Sequence, residues 1–69
     1  MSTLPSNPTG ADLVAAIRAT ASHRAIPLYQ FARPLSRYPA SWLDQTARAI
    51  NPKPHTVERV RALIAGDPI

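Results

Sequence analysis

LYQFARPLSRYPASWLDQ, residues 28–45, is the stretch that decides how this chain folds. Pro27, just before it, suits the first turn of a helix, where a missing amide proton forfeits no intrahelical bond. Leu28, Phe31, Ala32 and Leu35 follow at helical spacing, and Pro34 bounds that helix near Arg33–Leu35. Ser36, Arg37 and Tyr38 read as a tight connection, and Pro39 can open the next helix. Over about 39–50, Trp42, Leu43, Thr46, Ala47 and Ile50 form one apolar face, while Ser41, Asp44, Gln45 and Arg48 spread over the rest. The stretch is therefore a short helix, a three-residue turn and a longer helix.

Upstream, Thr9-Gly10-Ala11-Asp12 has capping-box form, with the Thr9 hydroxyl facing the Asp12 amide and the carboxylate reaching back. Leu13, Val14, Ile17 and Ala21 then make an apolar stripe, which predicts a helix over about 11–22. The preceding residues 1–9, with prolines, serines and an asparagine, read as a disordered arm to a domain spanning 10–69. Downstream, Asn51-Pro52-Lys53-Pro54 stops the third helix. Val57, Val60, Leu63 and Ile64 mark a fourth, with Glu58 in its first turn, Gly66 as its C-terminal cap and Pro68 beyond. No segment alternates as a strand does, so the expected class is all-α, a compact fold of four helices.

At 69 residues the chain makes one small domain, whose stability is marginal without added support. With no cysteine it has neither disulfides nor thiolate metal sites, which leaves a second copy as the added support to expect, although a well-packed helical monomer would also suffice. His23 and His55 lack the spacing of a metal pair on one helix. The start has neither a basic segment nor an apolar run of signal-peptide type, and no stretch reaches the roughly 20 apolar residues that span a bilayer. A cytoplasmic, nucleoid-associated protein with no membrane partner is expected. Seven arginines and one lysine give a net charge of +4, which suits a polyanion such as nucleic acid. Enzymatic signatures are missing: there is no glycine-rich phosphate loop and no carboxylate pair beside a histidine. The chain reads as a binding protein, with no cofactor and no small-molecule substrate.

A short helix, a tight turn and a longer helix with a large apolar anchor have the layout of a helix-turn-helix. In that layout the first helix braces across a DNA backbone and the second enters the major groove. Ala32 is the small residue wanted where the two cross; Phe31 and Leu35 pack below it, and Trp42 pins the reading helix to the core. With these residues and the segment PKPHTVERVRALI, 52–64, the chain resembles the lambda-repressor-like (Cro/C1, Xre-type) DNA-binding family over roughly residues 11–66. Ser36 stands where that family usually has glycine, Arg37 where it has an apolar residue, and Pro34 shortens the bracing helix. The resemblance implies a sequence-specific double-stranded DNA binder, a small phage- or plasmid-type transcriptional regulator or repressor that works as a homodimer. It also implies a phosphate contact by Gln30.

On the reading helix, Gln45 could pair with adenine, Arg48 with guanine or phosphate, and Asp44 could accept from a cytosine amino group or repel wrong sequences; Ser41 shares that face. The plain alternative is a solvated face with an Asp44–Arg48 ion pair. Arg37 and Tyr38 at the turn suit phosphate or base contacts, against a reading in which the tyrosine ring packs on Pro39. Lys53 and His55 flank the start of the last helix, where amides can receive a phosphate. Arg59 and Arg61 read as a solvated face or a dimer rim. From another class, the chain could be a helical protein-interaction module, such as a phage or toxin–antitoxin component.

Overall fold

The computed structural model describes residues 7–66, which form helices α1 (Gly10–His23), α2 (Leu28–Phe31), α3 (Pro39–Ala47) and α4 (Pro54–Ala65), with no strand among them. Thr9 caps α1 as the sequence requires. Its hydroxyl accepts from the Asp12 amide at 3.2 Å, and the Asp12 carboxylate accepts from the Thr9 amide at 2.9 Å. Of the expected arm, residues 1–6 lie outside the described residues; next to them Pro8 is already buried.

Helix α1 is the hub on which α2, α3 and α4 all pack. Leu13 and Ile17 of α1 and Val60 of α4 are its most deeply buried large side chains, joined by Val14, Ala21, Phe31, Ala32, Leu35, Leu43 and Leu63. Burial of such side chains is the main term holding a domain this size together.

The C-terminus of α1 closes in a Schellman motif. The Ile26 amide donates to the Ala21 carbonyl at 2.9 Å, and the Ala25 amide to that of Ser22 at 3.1 Å. The residue that turns left-handed there is Ala25, at φ 55°. A glycine is usual in that place, so the sequence gives no warning of the turn.

Two boundaries differ from the sequence expectation. Helix α2 ends at Phe31 rather than near Arg33–Leu35. Pro34 has no amide to give the Gln30 carbonyl, and the Arg33 amide takes it instead at 3.3 Å, an i→i−3 bond that tightens the chain out of the α-helix. The link to α3 thus runs over residues 32–38 instead of three. Helix α3 ends at Ala47, not Ile50, because the Arg48 and Ala49 amides also bond i→i−3, to Gln45 and Thr46. The expected apolar face shrinks accordingly: Leu43 and Thr46 are buried, Trp42 is half-buried at the core margin, Ala47 is exposed, and Ile50 is 78% exposed. Leu43, not Trp42, is the buried anchor of α3.

Helix α4 opens with Pro54 at its first position and stops at Gly66, left-handed at φ 81°. Because it starts at Pro54, Glu58 falls in the second turn and not the first. Among the described residues no helix is long and apolar enough to cross a membrane.

Candidate nucleic-acid interface

Helix α3 is two-faced. One side carries Leu43 and Thr46 into the core against α1, and the other exposes Ser41, Asp44, Gln45 and Arg48. Asp44 and Arg48, one turn apart, form an ion pair at 3.3 Å. That contact fulfils the plain alternative for these two residues, although both side chains stay open to solvent.

At the N-terminal end of α3, Arg37 is exposed and Tyr38 is 69% exposed. Most of the Tyr38 side chain is thus open to solvent. Ser36 does not adopt the left-handed conformation that a short turn would demand of it, since Ala25 is the non-glycine residue with positive φ. Instead its hydroxyl accepts from the Tyr38 amide at 3.1 Å, which shapes the entry into α3. The longer link removes the need for a glycine.

Gln30, exposed on α2, lines an open groove together with Tyr29, Arg33, Pro34 and Pro39. The groove sets Gln30 and Arg33 beside the first residue of α3. Tyr29 and Arg33 did not emerge from the sequence as site residues, because their place beside Pro39 depends on how α2 packs against α3. Lys53 and His55 are exposed at the head of α4.

The charge is laid out unevenly. Between Asp12 and Asp44 the chain has no acid, while Arg18, Arg24, Arg33 and Arg37 fall in that interval. Arg24 and Arg59 are occupied within the protein. The Arg24 guanidinium donates to the Ile64 carbonyl at 2.6 Å and lies 5.7 Å from the Phe31 ring centre, and Arg59 donates to the Pro34 carbonyl at 2.9 Å. Arg59 is half-buried and ties α4 to the link after α2, so its expected place on a solvated face is corrected. Arg33 and Arg37 remain as exposed cations near the start of α3.

Among the described residues no group of three His, Cys, Asp or Glu side chains is placed to hold a metal ion. The arrangement offers hydrogen bonding and charge on exposed side chains of α2, α3 and the link between them. Comparison with family models, with curated proteins and with solved structures gave no match.

Proposed function

We propose that the protein binds double-stranded DNA in the manner of a lambda-repressor-like helix-turn-helix, with α3 as the reading helix and α2 as the brace, and acts as a small phage- or plasmid-type transcriptional regulator. The observation that carries this is the two-faced α3: Leu43 and Thr46 lock one side to α1 while Ser41, Gln45 and the Asp44–Arg48 pair are exposed on the other. Nine residues span about 14 Å. The helix cylinder, about 10–12 Å across with side chains, fits a major groove about 12 Å wide. Arg33, Arg37 and Gln30, beside the start of α3, can grip phosphates on either edge, which fixes register without reading bases. A face with so few base-reading side chains gains specificity from a second copy on a half-site about 34 Å away, so a homodimer on the DNA is part of the proposal.

The test is a binding titration on random and selected duplexes over a salt series. Affinity that falls steeply with salt, together with enrichment of one palindromic sequence, supports the reading. Failure to bind any duplex at low salt ends it.

A second reading, a protein-interaction module, draws on Tyr29 and Ile50, two large exposed apolar side chains. Capture of a protein partner that persists when duplex DNA is added in excess would favour it.

A further inference from the structure

We infer that Asp44 is a specificity-determining residue that positions Arg48, so that the pair reads one G·C base pair rather than gripping the backbone. This rests on the DNA-binding reading of α3. The ion pair is poorly explained by stability. Its side chains are 80% and 65% exposed, and pairs so open to water contribute next to nothing to folding. Asp44 also ends a run of chain without acids that begins after Asp12, and does so on the side of α3 turned away from the core. There its charge repels every duplex, whatever the sequence. A carboxylate in such a place is useful when it discriminates, by rewarding one base pair and penalising the others.

The geometry supplies the means. The Arg48 Nη2 lies 3.3 Å from Asp44 Oδ2, an ion pair across one helical turn. A guanidinium has five N–H donors, so an ion pair on one side leaves donors free to meet guanine O6 and N7 side by side. Where a groove displaces the water around the pair, the attraction strengthens and Asp44 restricts how the guanidinium can lie. The second carboxylate oxygen can accept from the amino group of a cytosine and repels the acceptor edge of a guanine at the same place. Arginine and aspartate thus favour complementary bases.

The experiment uses the full chain and its D44N, R48A and D44N/R48A variants. Each is titrated at two salt concentrations against the duplex that the unaltered protein selects from a random pool, and against all single-base-pair variants of that duplex. Thermal melting should be the same for all four proteins. The unaltered protein should favour guanine at one position by about tenfold or more. D44N should lose most of that preference while binding unrelated duplexes several-fold more tightly. R48A should lose the same preference, and the double variant should lose no more, the non-additivity expected of two residues acting as one. The inference is overturned if D44N keeps its base preference. It is also overturned if R48A weakens all duplexes equally and lowers the salt slope by about 1, the mark of a phosphate contact. Duplex binding without base preference overturns this inference and leaves DNA binding standing, whereas no duplex binding at all overturns both.

Discussion

The Gly10 amide, at the head of α1, donates to the Ala49 carbonyl just past the end of α3, at 2.8 Å. The two helices meet end to end here, the amino pole of one against the carboxyl pole of the other, which is the favourable pairing of helix dipoles. The approach is so close that a Cβ on residue 10 would run into the carbonyl oxygens of Thr46 and Ala49, both of them backbone atoms. Through this contact α1 sets where α3 lies.

Gly10→Ala should therefore destabilise the fold by about 3 kcal/mol, the upper part of the usual range for overpacking. Helix propensity alone argues the reverse, since alanine in a helix is better than glycine by about 1 kcal/mol. Backbone carbonyls that close α3 cannot swing aside as a flexible side chain can, so the steric effect wins. Chemical denaturation of the two proteins decides it: a variant as stable as its parent would show that the junction is loose.

Ala25→Gly should do the opposite. Left-handed backbone costs an L-residue about 1–2 kcal/mol, and glycine avoids that at the expense of a more flexible unfolded chain. The Schellman bonds from Ala25 and Ile26 hold the conformation whatever the side chain. A net gain of about 0.5–1 kcal/mol is expected, seen as a melting temperature higher by a few degrees. A lower melting temperature would mean that the methyl group of Ala25 does more in packing than its backbone costs.

These two positions also show what the sequence could and could not reveal. The start of α1 was legible because capping is local: Thr9 and Asp12 lie three residues apart and bond only each other and the backbone. The opening of α3 at Pro39 and the stop of α4 at Gly66 were legible for the same reason. The early ends of α2 and α3 were not, because they depend on which carbonyl each successive amide takes. The burial of Leu43 ahead of Trp42 depends on where α1 lies and has no signature along the chain. Of the candidate site, Ser41, Asp44, Gln45 and Arg48 could be placed on one face by period alone. Arg24 and Arg59 found their partners 40 and 25 residues away, beyond the reach of any local pattern.

Arg24 should matter to stability more than an exposed cation normally does. Its guanidinium donates to the Ile64 carbonyl near the C-terminus of α4 while lying near the Phe31 ring, so one side chain links α1, α2 and α4. Arg24→Ala should cost about 1–2 kcal/mol, from a charge-assisted bond and a cation–π contact at a solvated site. Arg24→Lys should recover less than half of that, because an ammonium lacks the planar surface that stacks on a ring. Equal stability of the lysine variant and the parent would assign the effect to charge alone.

Gln45→Ala and Arg37→Ala should separate reading from gripping. Gln45 is exposed at the middle of the outward face of α3, where its amide can both donate to and accept from an adenine. Its loss should weaken binding by about 1–3 kcal/mol on duplexes with adenine at one position and hardly at all on the rest. Arg37 stands at the entry to α3, where the chain would cross a phosphate backbone. Its loss should weaken all duplexes alike and reduce the slope of log affinity against log salt by about 1. Fold integrity is not at issue for either residue, since both side chains face solvent. If the two variants behave alike, with the same salt slope and no base preference changed, α3 rests on the backbone and does not enter the groove.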